Sequence, residues 1–244
     1  MRYSIDHPDD YIHANILGFY HILEACRHSR DEGRQGVEHL VFASSSSVYG
    51  NGTHGDTDHP VSLYAATKKA DEVLAWSYAS LYHIPVTGLR FFTVYGPAGR
   101  PDMFYYSTVE KLRRGEKLRV FHYGESARDY TYIDDTVEGL VRVLDCPPAG
   151  EQVPYCVYDL GRGQPTTMKE FLQILSEEML SIGLLPGDFS LQESCELLPG
   201  QPGDVERTCA DSAPFERAFG FRPVTPLRQG LREFLRWYKD YAQL

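Results

Sequence analysis

Tyr64 and Lys68 stand four residues apart in the run Tyr64-Ala65-Ala66-Thr67-Lys68, and a helix through them places both on one face. A free tyrosine ionises near pH ~10, so a phenolate at neutral pH costs about 4 kcal/mol unless a cation offsets it. Lys68 is such a cation. Four consecutive serines, Ser44 to Ser47, fall where a strand should end, so their hydroxyls could hold an oxygen of a bound molecule opposite the phenol. A serine, tyrosine and lysine set of this kind can move a proton to or from a sugar alcohol while a cofactor takes the hydride. Tyr-x-x-x-Lys also recurs on helices without catalytic meaning, so the surrounding elements have to decide.

Those elements read as alternating helices and strands. Between Asp9 and Arg27, apolar residues at Ile12, Ile16, Phe19 or Tyr20, Leu23 and Cys26 follow the helical period, and Asp9 and Asp10 suit its first turn. Leu40 to Ala43 reads as a buried strand that delivers the serines at its carboxyl end, where open α/β sheets hold ligands. Ser62 can cap a long helix through about Leu81, with Ala66, Val73, Leu74 and Leu81 facing inward. Val86 to Phe92 is a second strand, closed by the turn signal Tyr95-Gly96-Pro97.

Further along, the pattern predicts a helix near Phe104 to Arg114 and short strands around Leu118 to Phe121 and Tyr130 to Ile133. A helix to Leu144 could be capped by Asp134 or Asp135, and Thr167 could cap another through Leu180. Val157 to Leu160 reads as a strand, residues 184 to 203 have little period, and a last helix spans Leu227 to Tyr241. Strand and helix alternate in the first half, which predicts a parallel sheet; the mixed second half suggests a smaller lobe.

The net charge of -10 argues against a nucleic-acid backbone as partner. It does not exclude an anionic small molecule, because a few placed arginines can hold a diphosphate. Five cysteines, an odd number without a C-x-x-C pair, read as reduced and mostly buried thiols of a cytoplasmic protein. The nine histidines show no metal-pair spacing, and no metal is expected. No apolar run reaches the ~18 residues of a membrane span, and Met1 to His7 has no apolar leader character, so neither span nor signal peptide is expected. A literal G-x-G-x-x-G, Gly50 to Gly55, is refused as a dinucleotide fingerprint: Ser44 to Tyr49 separate it from the strand and Pro60 precedes the next helix, so no helix amides would meet a pyrophosphate. Gly161-Arg162-Gly163 follows a strand but lacks the third glycine.

With these residues in view, the chain resembles the extended short-chain dehydrogenase/reductase family, the NAD-dependent epimerase/dehydratases, and within it the UDP-glucuronate 4-epimerases. The resemblance spans nearly the whole sequence and rests on ordered motifs: Ser44 to Gly50, His59 to Ala70, Gly88 to Pro97, Gly99-Arg100-Pro101-Asp102-Met103, Arg128 to Asp135 and Gln201-Pro202-Gly203-Asp204-Val205. It implies an α/β fold: a partial Rossmann-like parallel sheet, its first strands absent, with a smaller mixed substrate lobe. Residues 1–100 and 118–160 would be the remainder of the dinucleotide-binding domain, and 101–117 with 161–244 mainly the sugar-nucleotide lobe.

The implied reaction is reversible oxidation at sugar carbon 4, converting UDP-glucuronate to UDP-galacturonate with NAD through a 4-keto sugar. By resemblance Tyr64 is the base, Lys68 lowers its pKa and holds the nicotinamide ribose, Ser45 with Ser46 binds the reacting oxygen, and Ser44 lies at the cofactor. Arg100 would face the sugar carboxylate in a two-bond fork, Thr93 would touch the sugar, Arg128 would reach the diphosphate, and Gln201 and Asp204 would lie near the uridine ribose. From the residues alone, Arg100 could equally be a solvated loop charge, Arg128 a partner of Asp129 or Glu125, and Arg90 a structural strand-end charge. The helices 9–27 and 62–81 would pair across a homodimer.

Two departures qualify the resemblance. The loop from Gly50 to Tyr64 is shorter than the family's, and the family's glycine loop would precede Met1. The expectation is therefore that this chain binds NAD weakly or not at all. Two readings stay open: an epimerase, or a truncated non-catalytic relative that binds a sugar nucleotide or serves as a dimer partner. A dehydratase is disfavoured, because the serines continue into Val48 where those relatives carry an Asp-Glu pair after Thr; a neutral-sugar epimerase, a decarboxylase or another oxidoreductase of the extended family stays open.

Overall fold

Helices Tyr3–Asp6 (α1) and Pro8–Tyr11 (α2) lead into a π-helical stretch, Ile12–Leu17, and then Gly18–His28 (α3). Strand Leu40–Ser45 (β1), a 3-10 turn Ser46–Tyr49 and helix Leu63–Tyr82 (α4) follow, then Val86–Phe91 (β2) and Thr93–Tyr95 (β3). The middle of the chain forms Phe104–Arg113 (α5), Leu118–Val120 (β4), Ala127–Tyr132 (β5) and Ile133–Leu144 (α6). It ends with Tyr155–Leu160 (β6), Pro165–Thr167 (β7), Met168–Ser181 (α7), Cys195–Leu197 (β8), Ala213–Phe219 (α8) and Leu227–Tyr241 (α9). This computed structural model describes residues 3–29, 31–33, 35–51, 56–149, 152–200 and 205–243. Two units result: Met1–Phe92, Glu138–Leu160 and Ala210–Arg222 make the first, and Thr93–Val137, Gly161–Cys209 and Pro223–Leu244 the second.

The first unit is built on a parallel sheet of order β1-β2-β6, with Leu40 opposite Val86 and Val86 opposite Tyr155. Among the described residues β1 has a strand partner on one side only. Ser62 caps α4 by accepting the Ala65 amide, which satisfies one of the donors left over at a helix start. The small residues Ala65, Ala75 and Ala79 are fully buried on α4, and the helix packs against all three strands of the sheet. Gly88, in the middle of β2, makes room for Phe42: a Cβ there would lie 2.7 Å from the Phe42 ring. One apolar cluster gathers Cys26, Phe42, Ala75, Ala79, Ile84 and Val86, and another Leu89, Val143, Leu160 and Phe215. Trp76 lies edge-on to Tyr155, ring centroids 5.4 Å apart.

In the second unit β3 pairs parallel with β5, β5 antiparallel with β7, and β4 parallel with β8. Its core is rich in tyrosine: Tyr95, Tyr105, Tyr106, Tyr130, Tyr132 and Tyr238 are all buried, with Phe171, Phe234 and Leu231. Tyr130 stacks on Phe171 at 4.7 Å, and Trp237 stacks on Phe234 at 6.1 Å. Gly230 of α9 lets that helix close on the aromatic layer, since a Cβ there would sit 2.3 Å from the Tyr95 hydroxyl. Thr167 caps α7 by accepting the Glu170 amide.

Several expectations need correction. On α4 the apolar Val73 and Leu81 are 57% and 66% exposed, while Asp71 and Glu72 are buried instead. The helix expected over 9–27 contains the π stretch, and Ile12 and Tyr20 on it are exposed. Asp134 and Asp135 lie inside the first turn of α6 rather than at its cap; Asp135 accepts the Val224 and Thr225 amides and the Thr225 hydroxyl. Residues 184–203 contain β8, which was not anticipated. Of the five cysteines only Cys26 is buried, Cys146 is exposed and the others are intermediate; none is in a disulfide. Tyr241 is exposed. β4 and β5 fall in the second unit, whereas the sequence reading grouped 118–160 with the first.

Candidate functional site

β1 runs two residues further than its apolar core, so Ser44 and Ser45 belong to the strand and Ser46 and Ser47 to the turn that leaves it. Ser45 is extended and its hydroxyl accepts the Ser47 amide at 3.2 Å, which bends the chain out of the sheet. That turn packs against α4, the helix that carries Tyr64 and Lys68. Ser44 and Ser45 are buried, while Ser46 and Ser47 are partly open to solvent.

Beneath the serines lies a polar network that the sequence did not reveal. Glu72, buried on α4, accepts the Ser44 hydroxyl at 2.6 Å and two bonds from Arg90 of β2, both 2.8 Å. Arg90 also donates to the Tyr49 hydroxyl at 2.7 Å, and Tyr49 donates to Asp159 of β6 at 2.7 Å. The second Asp159 oxygen accepts the Asp211 amide at 3.1 Å. Burial, then the Asp159 carboxylate, pushes the Tyr49 phenol well above its ordinary value, so Tyr49 stays a neutral donor. Burial works against the Arg90 charge, but the bonds it donates to Glu72 and Tyr49 and the Glu72 charge outweigh it and raise its pKa. Arg90 is thus a structural strand-end charge, and a cavity beside it is lined by Lys69, Glu72, Trp76 and Tyr155.

Tyr64 and Lys68 are both partly exposed on α4. The Lys68 ammonium donates to Asp71 at 2.9 Å, an ion pair whose carboxylate side chain is 2% exposed. Desolvation raises the Asp71 carboxyl above its ordinary range; the Lys68 charge opposes this and Glu72 adds to it. The Tyr64 ring meets the Tyr11 ring edge-on at 5.8 Å. Thr67, buried between them in sequence, donates its hydroxyl to the Tyr64 carbonyl and accepts the Asn15 amide, both at 2.9 Å.

Residues expected at the sugar nucleotide belong to the second unit. Thr93 is half-buried at the start of β3. Arg100 has a side chain 75% exposed, 3.3 Å from Asp102 and also donating to the Met103 sulfur at 3.6 Å. Arg128 donates to the carbonyls of Ala127 and Glu206, and Glu125 pairs with Lys169 instead. Gln201 and Asp204 lie outside the described residues, as do Gly52 and Gly55 of the refused glycine motif. Gly50 of that motif has φ +55°, and a Cβ there would lie 2.6 Å from the His59 carbonyl, so this glycine answers to a local turn.

For the dinucleotide that the resemblance implies, the residues present fit one end. An ammonium carries three donors, one given to Asp71, which leaves Lys68, four residues on from Tyr64 along α4, with donors to offer ribose hydroxyls. The phosphate end is different: among the described residues neither β1, β2 nor β6 leads through a glycine-rich turn into a helix. Among them, too, no group of three or more His, Cys, Asp or Glu side chains could hold a metal, and no helix is long and apolar enough to cross a membrane.

The "Uncharacterized 37.6 kDa protein in cld 5'region" of Escherichia coli O111:H- is 40% identical over 263 residues, covering 100% of this chain and 74% of that protein. The UDP-glucuronate 4-epimerase 2 of Arabidopsis thaliana is 38% identical over 258 residues, covering 99% of this chain and 56% of the enzyme. The solved structure of MoeE5 in complex with UDP-glucuronic acid and NAD superposes with a TM-score of 0.82 at 32% identity, over 98% of this chain and 75% of that one. Residues 1–161 match the NAD dependent epimerase/dehydratase family, and with relatives at this identity over nearly its full length the chain belongs to that family.

Proposed function

We propose that this chain is an NAD-dependent UDP-sugar 4-epimerase and that its substrate is UDP-glucuronate, interconverted with UDP-galacturonate. The observation that carries this reading is the placement of Tyr64 and Lys68 on a helix packed against the serine-bearing exit of β1, in a chain like MoeE5 and the Arabidopsis enzyme. NAD, when bound, supplies a reversible hydride acceptor for the sugar carbon. Tyr64 takes the proton of the 4-hydroxyl and returns it after the 4-keto sugar has turned over. Lys68, steadied by Asp71, holds the ribose and the charge of the phenol's deprotonated form. Ser45, with Ser46 as its neighbour, donates to the reacting oxygen, and Ser44 braces this strand end through Glu72.

In the second unit, Arg100 leaves Asp102 for the sugar carboxylate, Thr93 touches the sugar, and Arg128 reaches the diphosphate; Gln201 and Asp204 contact the uridine ribose. The exposed pairing of Arg100 with Asp102 favours a second reading, a neutral-sugar epimerase, in which that arginine stays solvated. The lack of a glycine turn among the described residues favours a third, a sugar-nucleotide-binding relative that does not turn over. A homodimer through helices 9–27 and 62–81 is supported by the exposed Leu17, Ile22, Val73, Trp76 and Leu81 on them.

The test is conversion of UDP-glucuronate by the full chain at high NAD concentration, with UDP-glucose and UDP alone as comparisons. UDP-galacturonate is the expected product. Conversion of UDP-glucose in preference selects the neutral-sugar reading, and binding of UDP without any conversion selects the non-catalytic one.

A further inference from the structure

Asp71 and Glu72 follow one another on α4 and both are buried, yet they are held very differently. Glu72 accepts three bonds, one from Ser44 and two from Arg90. Asp71 accepts one: its Oδ2 takes the Lys68 ammonium at 2.9 Å, and its buried Oδ1 has no hydrogen-bond partner among the described residues. The next cation along the helix, Lys69, is turned to Thr57 and Asp58 instead. The titratable groups on the elements packed against α4 are engaged elsewhere as well. Tyr3 of α1 donates to Asp10, Tyr11 of α2 lies against the Tyr64 ring, His13 bonds the Asp9 carbonyl, and Glu24 of α3 accepts from Tyr78. Arg90 of β2 is on Glu72, Tyr155 of β6 donates to the Glu72 carbonyl, and Tyr49 donates to Asp159. A lysine and a carboxylate three residues apart support a helix at little cost in water, whereas burying the carboxylate costs much of what the pair returns. Helix support alone does not account for placing Asp71 here.

We propose that Asp71 is a positioning residue for Lys68, which fixes the ammonium on α4 and withholds part of its charge from the Tyr64 phenol. The inference rests on the reading of Tyr64 as the base and Lys68 as its cation. Asp71 stands seven residues from Tyr64, about 10 Å along the helix at ~1.5 Å per residue. A carboxylate at that range near a protein surface disfavours the phenolate and raises the pH at which it forms by about half a unit to one unit. Asp71 touches no reacting atom; it acts through Lys68 and through its own charge.

The test follows the Tyr64 phenol in the full chain labelled with ring-13C tyrosine, the resonance being assigned with Tyr64→Phe. Asp71→Asn keeps an oxygen for Lys68 without the charge, and Asp71→Leu fills the buried space with neither. In variants that keep the wild-type circular dichroism, the phenol is expected to titrate about half a unit to one unit lower, and the acid limb of kcat/KM for the UDP-sugar to move down with it. Asp71→Leu also releases the ammonium, so its kcat on the pH plateau should fall about 10-fold below that of Asp71→Asn. A further measurement leaves Asp71 in place: in the wild type the Lys68 15Nζ resonance, assigned with Lys68→Arg, should show a step above the ordinary carboxylate range as Asp71 takes its proton. A phenol titration unmoved in the folded variants, equal plateau rates for the two, or a Lys68 resonance without that step overturns the inference. If the wild type shows no turnover, the enzymatic reading fails and the resonances alone decide: a lowered Tyr64 titration sustains the role of Asp71, and an unmoved one ends it.

Discussion

The guanidinium of Arg90 and the carboxylate of Glu72 meet as a two-bond fork, with 2.8 Å from Nε to Oε1 and from Nη2 to Oε2. Both side chains are largely buried, and the pair joins β2 to α4 directly under the serine turn. Removing one partner strands a charge away from water. Glu72→Gln should therefore destabilise the first unit by about 3 to 5 kcal/mol, read as a lower urea midpoint. A loss below ~1 kcal/mol would mean that solvent reaches Arg90 and that the network does not hold the site.

Tyr64→Phe removes the proposed base while leaving the ring that Tyr11 packs against. The expected loss in turnover is about 100-fold to 10,000-fold, with UDP-sugar affinity by calorimetry unchanged. Retention of wild-type turnover in the phenylalanine variant would end the phenolate mechanism.

Arg100→Ala should separate acidic from neutral sugars. If the guanidinium exchanges Asp102 for the substrate carboxylate, the variant loses about 10-fold to 100-fold in kcat/KM for UDP-glucuronate and little for UDP-glucose. Equal losses for both sugars would assign Arg100 to the loop alone.

Glu178 offers a pH signature in the second unit. Its buried carboxylate accepts from Arg232 at 2.8 Å and from Arg228 at 2.9 Å; the Arg232 bond first, with Arg228 adding and burial opposing, holds its pKa below the ordinary carboxylate value. A depressed folded pKa contributes stability above the unfolded value and loses it as pH falls through the folded one. Glu178→Gln should cost about 1 to 2 kcal/mol at neutral pH, since both arginines are half exposed, and the gap to the wild type should close as pH falls below the ordinary carboxylate range. A gap that does not vary with pH would assign the loss to packing.

Gly230→Ala tests the close approach of α9 to the tyrosine layer. With Tyr95 and Tyr132 atoms 2.3 and 2.7 Å from the added carbon, the rings must move, at about 1 to 3 kcal/mol in thermal unfolding of the second unit. Alanine's better helix propensity would otherwise favour the variant, so the sign of the shift decides.

Much of the fold was legible because local chemistry agreed with it. Ser62 and Thr167 cap the helices they were expected to cap, and the Val86 and Leu227 segments form as their patterns predict. The face of α4 was misread because apolar size was taken as the mark of burial. Where a helix lies close on a sheet, alanines fill the interface and the larger Val73 and Leu81 turn outward. Asp71 and Glu72 look like surface charges in the sequence; only their partners Lys68 and Arg90, the latter eighteen residues away on β2, reconcile them with burial. The π turn could not be read from a 3.6-residue period, and with it Asn15 was missed, although its four-residue spacing from Tyr11 was visible. Tyr64, Lys68 and the serines can be proposed from the sequence because the chemistry asked of them is carried by residue type and spacing. The residues that hold them depend on side chains distant in sequence.

The chain contains two tryptophans, Trp76 beside Tyr155 in the first unit and Trp237 against Phe234 in the second. Each half thus carries its own fluorescent probe, and replacing either indole with phenylalanine silences one half without touching the other's. Whether the halves melt together or in turn can be read directly from the emission of the pair of single-tryptophan proteins.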